Sequence, residues 1–469
     1  MANLKNELLR KLPSVSSLLD CETARGWLAE QPRPLVADCI RDALAELREQ
    51  ILADDAGRCA AAHVTDEFVL ERVREHLDER TRPHIRQAVN ATGVILHTAL
   101  GRAVWPEGVV DAMIDGLKGY VTLAADRRTG KRSERHHRVE GILTELTGAE
   151  AATVVNNNAA ATLIVLAALC EGKEAVVSRG QLVEIGGSFR LPDVMAQSGA
   201  VMVEVGTTNR THLRDYENAI TDETGAIVRV HPSNYRITGF TKAVPLADLV
   251  ALAHARGLPV IDDLGAGALV GLERFGLPHE PTIPESIAAG ADVVLSSTDK
   301  LIGAGQGGVI VGTRACIERI RAHPLARAMR VDKTCLMVLE RTLALFRDPE
   351  LLVRQHPTYR MLATPVETLR ARAEALADAI ADAAPDAETE VLPGVGYLGS
   401  GTLPMEQLPT FLLGVTLGDV AARDLAERLR MDEACVFGRI EDGRVVLDVR
   451  TMTDAQVPRV AGAVARAAR

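Results

Sequence analysis

The sequence predicts an α/β protein with a helical N-terminal domain and a small α+β C-terminal domain. Three observations support this fold class. Leucines at helical spacing fill residues 1–88, and short Val- and Ile-rich runs alternate with helical patterns over residues 89–344. Residues 345–469 combine an amphipathic helix with strand patterns. Alternating strands and helices are typical of a mostly parallel sheet covered by crossover helices.

The first region is predicted to be helical throughout, with breaks at Pro13, Pro32 and Pro34. Residues 1–87 contain 13 Lys and Arg against 16 Asp and Glu, so this region has no basic face by count alone. By charge alone it is a mixed-sign helical region, which favours a packing or oligomerisation domain.

The central region contains short apolar runs that lack polar alternation. Such runs are typical of strands buried on both faces of a parallel sheet, and the stretches between them are long enough for crossover helices. The predicted strands are residues 175–178, 201–205, 226–230, 259–261, 293–296 and 308–311.

The last region begins with a predicted helix at 365–383, in which Thr364 caps the start and Pro365 takes the first helical position. Strands are predicted within 403–417 and at 444–449, the second after a turn at 441–443. A closing helix is predicted from Thr453.

Composition narrows the function classes. The net charge of −10 argues against a general nucleic-acid coating protein, although a local basic patch is compatible with it. The seven cysteines are scattered without a CxxC pair, which favours reduced thiols in a cytoplasm over disulfides or a zinc site. We find no signal-peptide pattern, and the apolar stretch 159–170 is too short to span a bilayer.

Lys300 is the first candidate for chemistry. It follows the apolar run 293–295 and the hydroxyls of Ser296, Ser297 and Thr298, and it precedes a glycine-rich turn at 303–308. A partly desolvated lysine at a strand end can form a Schiff base with a carbonyl cofactor. Taken alone, the pattern also fits a surface lysine before a flexible loop, and the glycines lack the complete nucleotide-binding fingerprint.

Asp263 is the second candidate, because it ends the apolar run that precedes Leu264 and Gly265. A carboxylate there can keep a pyridinium nitrogen protonated and make the ring an electron sink. The alternative is a helix-capping aspartate.

Asn156, Asn157 and Asn158 are the third candidates, because they lead from an apolar run into a predicted helix at 159–170. Backbone N–H groups at a helix start can bind the phosphate of a cofactor, although the asparagines also fit a simple cap and turn. The order phosphate loop, acid and lysine is far more informative than any one of these signals.

Cations form the fourth group. Arg327, Arg330 and Lys333 are three residues apart, and a helix would place them on one face; Arg102 follows Gly101. Arginine binds phosphate-like anions through two donors at once. A solvated charged surface is the alternative.

The chain resembles the bacterial selenocysteine synthase family, L-seryl-tRNA(Sec) selenium transferase, over nearly its whole length. The resemblance rests on residues 90–98, 100–102, 154–161, 177–180, 182–187, 204–211, 230–231, 233–235, 299–301, 399–404 and 438–443. Departures from the family pattern occur at Ala99, at Thr298 and at Ala304 with Gly305.

This resemblance implies a fold-type-I, aminotransferase-like core with pyridoxal 5'-phosphate (PLP) on Lys300. It implies catalytic roles for Lys300 and Asp299, a cofactor site that includes Ser233, and anion binding by Arg102, Arg327 and Arg330. The implied reaction converts seryl-tRNA(Sec) to selenocysteinyl-tRNA(Sec) through an aminoacrylyl intermediate, with selenophosphate as selenium donor. The implied enzyme is a cytoplasmic homodecamer, a pentamer of dimers, whose N-terminal domain recognises the tRNA.

Two other functions remain open at this stage. One is a PLP-dependent lyase of the same fold that acts on a small amino acid or sugar acid, although such relatives generally lack the N-terminal helices. The other is a non-catalytic tRNA-binding protein, against which the presence of Lys300 and Asp263 argues.

Overall fold

The computed structural model describes residues 2–53, 64–135, 137–187 and 189–468. The chain forms two compact units, Met1–Gln87 and Ala88–Arg469. Part of the predicted N-terminal helical region, residues 54–63, lies outside the described residues.

The first unit is built of helices joined by short connections over its described residues, and the last helix ends at Thr81. Val36, Ile40 and Leu44 of the longest helix are buried together with Val69 and Val73 of the last one. Pro13 and Pro32 lie between helices as predicted, whereas Pro34 occupies the first turn of a helix, where a missing N–H costs nothing. The helices are α1 (Ala2–Lys11), α2 (Val15–Asp20), α3 (Glu22–Glu30), α4 (Arg33–Ala53) and α5 (Asp66–Thr81).

A seven-stranded sheet forms the centre of the second unit. Its strands are β1 (Ala151–Val155), β2 (Glu174–Ser178), β3 (Val201–Val205), β4 (Thr224–Val230), β5 (Val260–Gly265), β6 (Val293–Ser297) and β7 (Gly308–Gly312). They lie in the order β1-β7-β6-β5-β4-β2-β3. The prediction therefore missed β1 but located the other six.

The expectation of parallel strands is wrong for β7, which runs antiparallel to both β6 and β1. The segment from Ser297 to Gly308 is too short for a crossover helix, so β7 must return beside β6 as a hairpin. The remaining neighbours in the sheet pair in parallel.

Helices cover the central sheet, and the predicted helix 159–170 is present as α8. The helices are α6 (Glu107–Leu117), α7 (His137–Thr147), α8 (Asn158–Cys170), α9 (Leu191–Gln197), α10 (Leu213–Ala219), α11 (Leu246–His254), α12 (Ile283–Ala288), α13 (Arg314–Ala322), α14 (Leu325–Ala328), α15 (Lys333–Leu345), α16 (Pro349–Gln355) and α17 (Pro357–Ala363).

A four-stranded antiparallel sheet follows, in the order β8-β9-β11-β10. Its strands are β8 (Ala387–Gly399), β9 (Thr402–Leu417), β10 (Arg439–Glu441) and β11 (Arg444–Asp448), and its helices are α18 (Val366–Ala383), α19 (Ala422–Met431) and α20 (Val457–Ala467). The prediction that Thr364 caps the start of α18 is wrong, because the Thr364 hydroxyl donates to the carbonyl of Arg360 in the last turn of α17.

Residues 89–96 pair with two segments of the C-terminal region, residues 436–437 in a separate two-stranded sheet and β8 of the four-stranded sheet. Val89 pairs with Val436, and the N–H groups of Ile95 and Leu96 donate to carbonyls of β8. The segment that was expected to open the central domain therefore joins it to the C-terminal sheet. Among the described residues, no helix is both long and apolar enough to cross a membrane.

Candidate active site

Lys300 lies in the hairpin loop between β6 and β7. Thr298 organises this loop: its N–H donates to the carbonyl of Gly307 at 2.9 Å, and its hydroxyl donates to the carbonyl of Gly305 at 2.5 Å. Lys300 is only 6% exposed. Burial, assisted by the nearby charge of Arg102, lowers the pKa of its amine, which favours the neutral, nucleophilic form.

Two side chains of α17 and its N-cap support the same loop, and sequence reasoning missed both. Tyr359 donates its hydroxyl to the carbonyl of Leu301 at 3.0 Å, and Nε2 of His356 lies 3.0 Å from the carbonyl of Ile302. Burial lowers the pKa of His356 to about 4, so the ring is neutral near pH 7. No local pattern identifies them, because their partners are backbone atoms 54 and 58 residues earlier in the chain.

Asp263 lies near the carboxyl end of β5 and is 4% exposed. Its carboxylate accepts hydrogen bonds from the Asn158 amide at 2.8 Å, the Thr162 hydroxyl at 2.8 Å and the N–H of Gly265 at 3.0 Å. Burial raises the pKa of Asp263, and these donors act in the opposite direction. Asp263 is therefore not a helix-capping residue, which was the alternative interpretation.

The three asparagines have different surroundings. Asn157 caps α8 by accepting a hydrogen bond from the N–H of Ala160 at 2.8 Å. Asn158 donates to Asp263, and its Oδ1 is buried without a hydrogen-bond partner in the described part of the chain. Asn156 is exposed, and its backbone N–H donates to the carbonyl of Met329.

Arg102 and Asp299 form an ion pair beside Lys300, with Nη1 and Oδ2 2.5 Å apart. Arg102 has φ of 63°, a left-handed conformation that non-glycine residues adopt rarely. The N–H of Ala103 also donates to the carbonyl of Asp299. The loop that carries Arg102 is thus held directly to the loop that carries Lys300.

A cavity of about 530 Å³ brings most of the predicted site residues together. Its walls include Lys300, Asp263, Asn157, Asn158, Ser233 and Arg102. The same walls contain His231, Gln306, Ser400 and Gly401, which sequence reasoning did not assign. For His231, its position directly after the buried strand β4 was an available signal.

Arg327 and Arg330 line a different cavity, of about 340 Å³, together with Arg132 and Arg135. The expected helical face is wrong: Arg327 lies in the short α14, Arg330 forms a β-bridge with Val155, and Lys333 begins α15. The helical spacing is interrupted because α14 ends at Ala328 and residues 329–332 are not helical before α15 begins. The charges of the neighbouring arginines lower the pKa of Arg330.

The first cavity fits PLP. The buried Lys300 offers an amine to an aldehyde, and Asp263 offers a carboxylate to a ring nitrogen. The N-terminus of α8, capped by Asn157, offers N–H groups to a phosphate. The buried Asn158 Oδ1, which lacks a partner among the described residues, is suited to a polar group of a bound molecule.

Comparison with known families gives matches to both units. The model of the family described as L-seryl-tRNA selenium transferase matches residues 88–453, and that described as selenocysteine synthase N terminal matches residues 9–48.

Individual relatives match over nearly the full length. An L-seryl-tRNA(Sec) selenium transferase from Geobacter sulfurreducens is 44% identical, covering 97% of this chain and 98% of its own. One from Nitratidesulfovibrio vulgaris is 46% identical, covering 98% and 99%. Among solved structures, D-glucosaminate-6-phosphate ammonia-lyase aligns with a TM-score of 0.56 and 20% identity over 82% of this chain and 96% of its own. That last likeness establishes the fold, a fold-type-I core, and nothing more.

Proposed function

Because the chain belongs to the L-seryl-tRNA selenium transferase family, we propose that it converts seryl-tRNA(Sec) to selenocysteinyl-tRNA(Sec). Selenophosphate is the proposed selenium donor. The observation that supports this reaction most directly is the buried Lys300 amine, which shares one cavity with Asp263 and the start of α8.

PLP is the cofactor, and when bound it supplies an electron sink that acidifies the α-carbon of the seryl group. Lys300 would hold the cofactor covalently, Asp263 would hold its ring nitrogen, and Asn157 with the first N–H groups of α8 would hold its phosphate. The hydrogen bonds from Asn158 and Thr162 keep the Asp263 carboxylate oriented towards the cavity.

Lys300 then moves the proton. As a neutral amine it can take the proton from the α-carbon and return one later, because burial keeps its pKa below the ordinary value. Asp299 holds Arg102 beside this amine, so a guanidinium charge lies close to it. Lys300 can pass the proton from the α-carbon to the β-hydroxyl of the seryl group, which then leaves as water.

The anionic selenium donor requires cations. Arg102 lies within the Lys300 cavity. Arg327 and Arg330 lie with Arg132 and Arg135 in the separate cavity of about 340 Å³. The charges of Arg135, Arg327 and Arg132 lower the pKa of Arg330, which indicates that these cations repel it. A multiply charged anion would relieve that repulsion, which supports an anion site there.

The remaining assignments concern the whole enzyme. We propose that the helical unit of residues 1–87 recognises the tRNA, since a family model for the N-terminal region matches residues 9–48. We also propose a cytoplasmic homodecamer built from dimers, which sedimentation of the purified protein would test.

The decisive experiment is turnover. The purified protein should form selenocysteinyl-tRNA(Sec) from seryl-tRNA(Sec) and selenophosphate, and Lys300→Ala should not. A panel of free amino acids and amino-sugar acids, assayed in parallel for ammonia release, tests the lyase alternative. Ammonia release without any selenium transfer would replace our proposal with a lyase.

A further inference from the structure

We propose that His231, oriented by Glu280, delivers the proton that turns the β-hydroxyl of the seryl group into water. This inference rests on the proposed function and deepens it. Loss of the hydroxyl needs two proton movements, one away from the α-carbon and one onto the departing oxygen. Lys300 could make both in turn, but its cavity contains a second group suited to the second movement.

His231 lies at the same end of the central sheet as Lys300 and Asp263. Val230, the last residue of β4, pairs with Asp263 of β5, and the N–H of His231 donates to the carbonyl of Asp263 at 2.8 Å. Strand β5 in turn pairs with β6, which leads into the Lys300 loop. Neighbouring strands are about 4.8 Å apart, so the ends of β4 and β6 are separated by about 10 Å. A seryl group between the two side chains can therefore be approached by both.

Glu280 orients the His231 ring. Its carboxylate lies 3.1 Å from Nε2 of His231, and Glu280 is only 4% exposed. The hydrogen bond at one ring nitrogen determines what the other nitrogen can donate or accept. Nδ1 of His231 has no hydrogen-bond partner in the described part of the chain, so it remains available to a ligand in the cavity. The carboxylate charge also balances that of a proton-bearing ring, the form that acts as an acid.

The other titratable side chains of this cavity have different tasks. Among the described residues, its walls contain four such side chains: Arg102, His231, Asp263 and Lys300. The Asp263 carboxylate accepts three hydrogen bonds, and Arg102 is paired with Asp299 and stays charged. Lys300 takes the proton from the α-carbon. His231 is therefore the described side chain best suited to protonate the leaving oxygen, because histidine exchanges protons near neutral pH.

The atoms and electrons of this step balance. The α C–H bond breaks first, and its proton goes to Nζ of Lys300 while its electron pair is held by the cofactor. The Cβ–O bond then breaks as that pair forms the Cα–Cβ double bond, and the Nδ1 proton of His231 goes to the oxygen, which leaves as water. Nothing is oxidised or reduced overall. The ring can regain its proton from water through a neighbouring cavity of about 330 Å³ that His231 also lines.

The test compares two leaving groups on the full-length enzyme loaded with PLP. Seryl-tRNA(Sec) must lose a hydroxyl, which leaves poorly unless it is protonated. β-Chloroalanyl-tRNA(Sec) loses chloride, which needs no proton, and both substrates give the same aminoacrylyl group and the same selenocysteinyl product. Single-turnover rates of product formation are measured at saturating selenophosphate for the wild type and for His231→Gln, whose amide can still donate to Glu280. Lys300→Ala gives the uncatalysed background for each substrate.

His231→Gln should slow the seryl reaction by roughly 100-fold, the lower end of what a general acid contributes, while the chloroalanyl reaction stays within about three-fold of the wild type. A retained chloroalanyl rate shows at the same time that the variant is folded and holds its cofactor. His254→Gln is the matched control, because Nε2 of His254 lies 2.9 Å from Asp292 in a pair of the same kind, outside the walls of the Lys300 cavity. It should process both substrates as the wild type does.

Glu280→Gln tests the positioning role of the carboxylate. The variant keeps the size of the side chain and removes its charge. It should slow the seryl reaction selectively, but less than His231→Gln does, because the ring keeps its place and loses only the balancing charge. Equal slowing of both substrates would instead make Glu280 a purely structural residue.

Two results with His231→Gln would overturn the inference. Equal slowing of both substrates would mean that His231 supports the cavity and does not act on the leaving group. An unchanged seryl rate would mean that Lys300 carries both protons. Wild-type turnover of seryl-tRNA(Sec) is measured first, and its absence would contradict the proposed function itself, so the two failures are distinguishable.

Discussion

At the scale of single residues, burial determines the chemistry of this site. Lys300 and Asp263 are both almost inaccessible to water. Burial lowers the pKa of Lys300 and raises the pKa of Asp263, so in each case burial favours the neutral form. The neighbours of the two side chains nevertheless differ. Asp263 receives three hydrogen bonds that stabilise its charge, whereas Lys300 faces the positive Arg102. This difference suits a carboxylate that stays charged and an amine that can lose its proton.

Lys300→Ala should abolish both the visible absorption of lysine-linked PLP and selenium transfer, because no other lysine of the described residues lines the cavity. Borohydride reduction of the wild type, followed by peptide mass analysis, should find the reduced cofactor on the peptide that contains Lys300. Lys118→Ala, which removes an exposed amine, should behave as the wild type. Cofactor attached to any other lysine in the wild type would contradict the assignment.

His356 makes the stability of the enzyme depend on pH. Its folded-state pKa is about 4, below the ordinary value of 6.5, because the buried ring resists protonation. The unfolded chain therefore takes up the proton first, and stability is lost as the pH falls from about 6.5 towards 4. This one group can contribute a loss of up to about 3 kcal/mol across that window.

The measurement is urea unfolding of the wild type and of His356→Asn, whose amide can still donate to the carbonyl of Ile302. The variant should lose less stability than the wild type between pH 6.5 and 4.5, because it lacks the titrating ring. Parallel losses in the two proteins would refute this account, since the carboxylates common to both would then explain the whole effect.

At the scale of elements, short connections determine which groups meet. The β6–β7 hairpin loop spans only residues 298–307, so Lys300 lies at the same end of the sheet as Asp263, which is near the carboxyl end of β5. The glycines of this hairpin serve packing: a Cβ on Gly308 would lie 2.4 Å from the carbonyl oxygen of Asn157. They allow the lysine loop and the start of α8 to approach one another.

The segment between α13 and α15 contains Arg327 and Arg330, which we predict to bind the selenium donor. Arg327→Ala combined with Arg330→Ala should leave PLP binding intact, because both residues lie outside the Lys300 cavity. The efficiency with selenophosphate should fall by roughly 100-fold, the loss expected when two charge-assisted contacts to an anion are removed. Initial rates at varied selenophosphate concentration would measure this loss.

The control is Arg423→Ala combined with Arg430→Ala on α19, which removes the same charge from residues that line neither cavity. Equal efficiency in the two double variants would exclude an anion site at Arg327 and Arg330.

At the scale of the whole molecule, the chain divides after Gln87. A protein of residues 88–469 should therefore fold and bind PLP, while its affinity for tRNA(Sec) falls by at least about ten-fold. Binding should be compared with the full chain at one stated salt concentration, because phosphate contacts weaken as salt rises. Unchanged affinity of the shortened protein would show that the second unit alone binds the tRNA.

The sequence by itself determined the fold class, six of the seven central strands, and Lys300, Asp263, Asn157 and Asn158 as members of one site. These follow from local properties: apolar runs predict buried strands, and polar residues at strand ends predict a site at one edge of a sheet. The resemblance to a known family also came from local motifs.

The tertiary structure alone decided the direction of β7, the pairing of residues 89–96 with residues 436–437 and with β8, and the separation of Arg327 and Arg330 from Lys300. It alone revealed His356 and Tyr359 beneath the lysine loop. The physical reason is common to all of these features. Each depends on contacts between segments distant in sequence, often through backbone atoms, and such contacts leave no periodicity or spacing in the chain itself.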